Sequence, residues 1–290
     1  MADPRKQVPE NIPGEFFVDT TCIDCDACRQ LAPETFGDAP DSSYVYSQPQ
    51  TDEQTRSALR ALVACPTGSI GTLSKLSVRE AMDDFPLPLE GDVYYCGFNS
   101  PDSYGASSYF IRHPEGNWLI DSPKYVTHLV KNIEALGGVK YIFLSHRDDV
   151  ADAEKFAARF GSQRIIHKFE LSAQPDAEIV IEGTEPRQFS DDFLIIPTPG
   201  HTRGHCVLLY KNYFLFTGDH LWWSRVRKGL SASRGVCWYS WEEQTQSMER
   251  LSNYNFTWVI PGHGERIKLA PDIMQQQLST LIERMGGWPG

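Results

Sequence analysis

The sequence predicts a layered α/β domain over residues 92–290, preceded by a small α+β domain over residues 14–75. From Val93 onward, β-branched and aromatic runs alternate with stretches of helical spacing, the pattern of helices packed on sheets. Four of those runs end in polar turns that carry His or Asp, which delivers such side chains to strand ends. Upstream, three cysteines at C-x-x-C-x-x-C spacing are matched by a distant Cys-Pro pair, marking a separate unit organised by sulfur.

In chain order, residues 1–13 are polar and read as a tail. Phe16 to Asp19 reads as a short strand leading into Cys22, Cys25 and Cys28. A helix is predicted from Asp52 to Val63, with Thr51 as N-cap and Leu59, Leu62 and Val63 on one face; Cys65-Pro66 follows it. Three thiolates at this spacing wrap one face of a cube and the distant Cys-Pro closes the fourth corner, the ligation of a [4Fe–4S] cluster. The alternative, a four-cysteine zinc site, usually draws on two separated C-x-x-C knuckles. With Arg29 to Phe36 behind the triplet, the region resembles the single-cluster ferredoxins. That resemblance implies one [4Fe–4S] cluster on Cys22, Cys25, Cys28 and Cys65, with a [3Fe–4S] form reached by oxidative loss of an iron. Cys96, Cys206 and Cys237 are isolated and read as small buried hydrophobes. Residues 76–91 end in the acidic, Pro-rich run Asp83 to Gly91 and read as a semi-rigid linker.

In the large domain, Val93 to Cys96, Ser108 to Ile111 and Trp118 to Asp121 read as strands. Pro123 to Leu136 reads as an amphipathic helix burying Val126, Leu129, Ile133 and Leu136, and Val150 to Phe160 as a second helix. Arg164 to His167 is the next strand, more follow after Glu178, and Trp241 to Leu251 and Ala270 to Met285 read as helices. The four ligand-bearing turns follow Tyr141 to Leu144, Phe193 to Ile196, Tyr213 to Phe216 and Trp258 to Ile260. They hold His146-Arg147-Asp148-Asp149, His201 with His205, Gly218-Asp219-His220 and Gly262-His263-Gly264. Imidazoles and carboxylates together suit zinc, iron or manganese.

The order of these turns resembles the metallo-β-lactamase superfamily from Val93 onward. The resemblance implies an αββα sandwich and a metal site of His146, Asp148, Asp152, His201, Asp219 and His263, with Asp219 bridging two ions. The family's usual His-x-His-x-Asp-His run is altered here. Asp148 takes the second His position, and the next two ligand positions fall on Val150 and Ala151. Allowing two extra residues brings Asp152 into place, with Asp149 as its rival. Three His and three Asp make an oxygen-rich set that leans toward iron or manganese, as in flavodiiron proteins, where Glu replaces the second His. A site reduced to one metal, or none, is the alternative. His220, beside the bridging Asp219, reads as either a proton donor to metal-bound substrate or a structural hydrogen-bonding group. His205 reads first as a packing residue, and Asp121 resembles the family's ligand-orienting Asp. The aromatic and basic residues of Leu221 to Lys228 and Cys237 to Trp241 suggest a pocket wall, helix packing or contact with the cluster domain.

The net charge of −11 argues against nucleic-acid and anionic-membrane partners. Seven cysteines, an odd number, fit a reducing cytosol, and neither a membrane span nor a hydrophobic leader is read, so the expected location is cytoplasmic. Three functions are expected in turn. The first is an oxidoreductase in which the cluster passes electrons to a mono- or di-iron site acting on a small-molecule substrate, with a redox partner protein as donor. The second is a zinc hydrolase of thioesters, lactones or phosphoesters, because Thr217-Gly218-Asp219 and Pro261-Gly262-His263-Gly264 resemble the glyoxalase II group. The third is a non-enzymatic redox or metal sensor.

Overall fold

A computed structural model describes residues 2–287. The chain divides into two units, residues 1–140 with 151–162, and residues 141–150 with 163–290.

In the first unit, strand Phe16–Val18 pairs antiparallel with Ile70–Thr72, and Phe36–Ala39 forms a hairpin with Ser42–Val45. Helix Asp52–Ala64 starts where the sequence predicts, with the Thr51 hydroxyl accepting the Gln54 N–H at 3.2 Å. Its buried face is Ala58, Leu59, Ala61 and Ala64, so small residues let it lie close on Phe16, Val18, Phe36, Val45 and Ile70. Leu62 and Val63 are only partly buried at the margin of this core. Residues 76–91 fold as helix Arg79–Asp83 and strand Leu87–Glu90, the latter antiparallel to Val93–Tyr95. Phe85, buried between them, packs edge-on against Tyr95 and Phe98. Tyr109–Ile111 and Trp118–Ile120 extend this antiparallel array. Helix Thr127–Ala135 buries Leu129, Val130 and Ile133. The last helix of the unit is Ala153–Phe160. It starts three residues later than the sequence suggests, because Arg147–Asp149 form a 3₁₀ turn and Ala151 takes a φ of +31°.

In the second unit, Tyr141–Phe143 runs parallel to Gln163–His167, which runs parallel to Ile179–Ile181. A six-stranded sheet has the order Arg187–Ser190, Phe193–Pro197, Cys206–Tyr210, Phe214–Gly218, Trp258–Pro261 and Ile267–Lys268. Only Phe214–Gly218 and Trp258–Pro261 are parallel neighbours, so both end at the same sheet edge and bring Asp219 and His263 together there. Helix Trp241–Leu251, capped by the Ser240 hydroxyl, and helix Pro271–Gly286 supply Met248, Leu251, Met274, Leu278 and Leu281. These bury Val207, Leu209, Leu215 and Val259 of the sheet, each large side chain contributing about 1.5–3 kcal/mol. Among the described residues, no helix is long and apolar enough to cross a membrane.

Asp84 follows helix Arg79–Asp83 and accepts from Arg56 at 2.6 and 2.8 Å and from Arg60 at 2.6 Å, both on helix Asp52–Ala64. These guanidinium contacts, Arg56 foremost, hold its carboxyl below the usual range. The stabilisation is therefore present above the unfolded carboxylate value of about 3.9 and is lost as pH falls through the lower folded value. Asp84→Asn should cost about 1–2 kcal/mol near pH 7. Denaturant unfolding should show that gap level from about pH 8 to 5 and narrowing below about pH 4; a gap that widens in acid contradicts the assignment.

Candidate metal centre and cluster site

The buried strand Tyr141–Phe143 leads through Ser145 to His146, the residue before the 3₁₀ turn Arg147–Asp149. At three residues per turn, positions i and i+3 eclipse, which returns Asp149 to the side of His146. The Ser145 carbonyl accepts the Cys206 N–H at 2.9 Å, joining this turn to the start of Cys206–Tyr210. Gly262 completes the approach, since a Cβ there would lie 2.7 Å from Asp149 Oδ2 and 3.1 Å from Asp219 Oδ1.

Around Asp219 Oδ2 stand three imidazole nitrogens: His201 Nε2 at 3.6 Å, His146 Nε2 at 3.7 Å and His263 Nε2 at 3.9 Å. Asp148 Oδ2 lies 3.7 Å from His146 Nε2. These separations exceed hydrogen bonds. They approach the ~3.4 Å expected between donors ligating one tetrahedral ion at about 2.1 Å. His146 Nε2, His201 Nε2 and Asp219 Oδ1 are buried with no hydrogen bond among the described residues, so the donor set fits a cation. Two groups have all their donor atoms within 4.8 Å of one another: His146, Asp148 and His201, and His146, Asp149 and Asp219. The Ser145 hydroxyl meets His146 Nδ1 at 3.0 Å and orients the ring. Burial pushes His146 down to about 3 and lowers His201 too, keeping both imidazoles in the neutral form that ligates. Burial works against ionisation of Asp219, but His263, His146 and His201 together hold its carboxyl below the usual range. Asp148, its side chain 42% exposed, is raised, chiefly by desolvation.

The structure thus brings together His146, Asp148, His201, Asp219 and His263, and adds Asp149 in place of Asp152. Asp152 Oδ2 accepts the Tyr125 N–H at 2.7 Å and Oδ1 accepts from Lys155 at 2.6 Å. The late helix start leaves Asp152 at the helix N-cap position, where it serves the fold of the first unit. His220 is fully buried, pushed down to about 3 by desolvation, with its ring stacked on His205 at 5.4 Å. His205 does more than pack: its Nε2 accepts the Asp219 N–H at 3.3 Å, and its Nδ1 meets Thr198 Oγ1 at 2.9 Å. Trp238, exposed, donates its N–H to the His201 carbonyl at 2.8 Å, which seats its loop on the His201 turn.

In the first unit, Cys22, Cys25, Cys28 and Cys65 line one small cavity with Val18, Ser43 and Ile70. The Ser43 N–H points at Cys22 Sγ (3.5 Å) and the Ser69 N–H at Cys65 Sγ (3.3 Å), donors suited to thiolate ligands. The loop is braced by buried Arg29, which donates to Asp26, Asp24 and Asp38 at 2.5, 2.6 and 2.7 Å. Burial pushes the Cys25 thiol up to about 12 and Cys28 higher, so ligation there must displace protons. Four sulfurs around one cavity with amide donors fit the expected cluster. Cys96 and Cys206 are buried, and Cys237 is partly buried with Sγ 3.2 Å from the Gly200 carbonyl.

The fold of about two thirds of the chain is that of metallo-β-lactamases. It resembles the BLEG-1 B3 enzyme (TM-score 0.52, 15% identity, covering 67% of this chain and 100% of that one). It also resembles the DIM-1 metallo-β-lactamase (0.52, 16%, 68% and 95%) and one from Hirschia baltica (0.51, 14%, 68% and 96%). Residues 18–72 match the family described as the 4Fe-4S single cluster domain of Ferredoxin I. The chain therefore joins a single-cluster ferredoxin domain to a metallo-β-lactamase fold. Among curated proteins it is 22% identical over 202 residues to the thioesterase pkgB of Emericella nidulans, covering 66% of this chain and 56% of that protein. It is 28% identical over 114 residues to the hydroxyacylglutathione hydrolase of Salmonella typhi (38% and 45%). To that of Rhizobium etli it is 25% identical over 197 residues (62% and 75%). The chain spans about half the length of the first two.

Two sets of variants follow. Cys65→Ser should lose the cluster's visible absorption while Cys96→Ser keeps it; equal absorption in both contradicts the ligand assignment. Asp149→Asn should weaken divalent-ion binding at the group of His146, Asp149 and Asp219 by more than about tenfold, with Asp152→Asn near wild type, as read by chelator competition. The reverse ranking would restore Asp152 to the site.

Proposed function

We propose that the chain is a metallo-hydrolase that cleaves an acyl thioester at the centre made by His146, Asp148, Asp149, His201, Asp219 and His263. The observation that carries this is the ring of donor atoms 3.6–3.9 Å from Asp219 Oδ2, two of them buried imidazole nitrogens without hydrogen bonds among the described residues. Its relatives include a thioesterase and two hydroxyacylglutathione hydrolases. A divalent ion held by these residues would lower the pKa of a bound water toward neutrality and so supply a nucleophile. His146, His201 and His263 would hold the ion through their ring nitrogens, with Asp219 as the carboxylate among them. Ser145 and His205 fix the angles of His146 and of the Asp219 backbone. Asp148 is the most open of the donors. His220 is fully buried with its ring stacked on His205, and we read it as packing support for the His205 contact with Asp219.

A second reading is favoured by the donor set itself. Three carboxylates among six donors suit iron as well as zinc, and the ferredoxin domain would then pass electrons to a mono- or di-iron centre, drawn from a redox partner protein.

One assay separates the two. Chelator treatment that spares the cluster should abolish hydrolysis of a model acyl thioester, zinc should restore it, and dithionite reduction of the cluster should leave the rate unchanged. Restoration by ferrous iron alone, with turnover that consumes electrons from the reduced cluster, would instead support the oxidoreductase.

A further inference from the structure

Glu170 lies outside the donor set, on the 3₁₀ segment Lys168–Ala173, and its side chain is completely buried. Its Oε2 accepts the Arg147 backbone N–H at 3.3 Å and Arg147 Nε at 2.7 Å, while Oε1 accepts the Gly204 N–H at 2.6 Å. Arg147 stands between His146 and Asp148, and Gly204 between His201 and His205. One carboxylate therefore ties together two ligand turns that leave different strands, Tyr141–Phe143 and Phe193–Pro197. The fit is close on the second turn. A Cβ on residue 204 would stand 2.8 Å from Glu170 Cγ, from its Oε1 and from His167 Nδ1, so only glycine leaves room for the bond.

Burying a carboxylate is costly unless it is paired and fully hydrogen-bonded, and an apolar side chain of similar size would fill the space at less cost. Here both oxygens are used, each on the backbone of a ligand turn. A bidentate acceptor of this kind fixes a distance between two main-chain segments, which packing alone fixes less sharply.

We propose that Glu170 is a positioning residue that sets the spacing of the His146–Asp148 turn and the His201–His205 turn before any ion arrives. The proposal rests on the metal-centre reading. Glu170 touches neither ion nor substrate; it acts through Arg147 and Gly204. Arg147 has a double part, giving its backbone N–H to the clamp and its guanidinium to the buried charge.

The test uses the full-length, cluster-loaded protein, stripped of other ions and titrated with Co(II). Glu170→Gln keeps the volume but turns an amide N–H toward one of the two turns. Co(II) affinity should fall about 10–100-fold and the cobalt d–d spectrum should change, with the cluster absorption unaltered. Wild-type affinity together with a wild-type cobalt spectrum in the variant overturns the proposal. A second measurement needs no variant: amide exchange of the ion-free wild-type chain. The Arg147 and Gly204 amides should be protected without any ion, and exchange as fast as open-loop amides overturns the clamp even if the variant does not fold. Failure of the wild-type chain to bind Co(II) would sink the metal-centre reading instead, and the exchange result would separate the two failures.

Discussion

The second unit is arranged around one carboxylate, Asp219, and the three imidazoles gathered about it at the end of a sheet. Asp219 sits among His146, His201 and His263 at distances too long for hydrogen bonds and close to those between donors that share one cation. Leaving buried polar atoms such as His146 Nε2 and His201 Nε2 unbonded costs about 1–3 kcal/mol each. That cost is carried by the core behind them, where Val207, Leu209, Leu215 and Val259 pack on Met248, Leu251, Met274 and Leu278. The parallel pair Phe214–Gly218 and Trp258–Pro261 ends beside the turn after Tyr141–Phe143.

The ferredoxin domain solves a different problem. At the size of residues 18–72, a hydrophobic core alone is thin. The four cysteines draw the loop at 22–28 to the end of helix Asp52–Ala64, closing a chain segment of more than thirty residues around one cavity. Arg29, buried among Asp24, Asp26 and Asp38, ties the loop to the hairpin. Both units place charges where solvent is scarce, and in both the surrounding donors or acceptors make that tolerable.

Legibility in the sequence followed locality. The cysteine loop was readable because its ligands are three residues apart, and His201, Asp219 and His263 because each follows an apolar strand and a glycine or turn. The choice between Asp149 and Asp152 was not, since it hangs on whether one turn winds as 3₁₀ or α and on a positive φ at Ala151. Residues 76–91 looked like a linker because of Pro86 and Pro88. Prolines are tolerated in a strand at a sheet edge, however, and Leu87–Glu90 occupies one, beside the buried Phe85. Glu170 and the bond from Asp219 to His205 are tertiary facts, with partners 23, 34 and 14 positions away in sequence.

The central claim is that one chain holds two chemically distinct metal sites, one of sulfur donors and one of imidazole and carboxylate. Metal and acid-labile sulfide analysis of protein purified without air tests it most directly. The account predicts iron and sulfide in the equal amounts of one cubane cluster, together with at least one further zinc or iron ion that Asp219→Asn removes without loss of sulfide. Zinc at the cysteines with no labile sulfide, or no ion beyond the cluster in metal-replete protein, would contradict it.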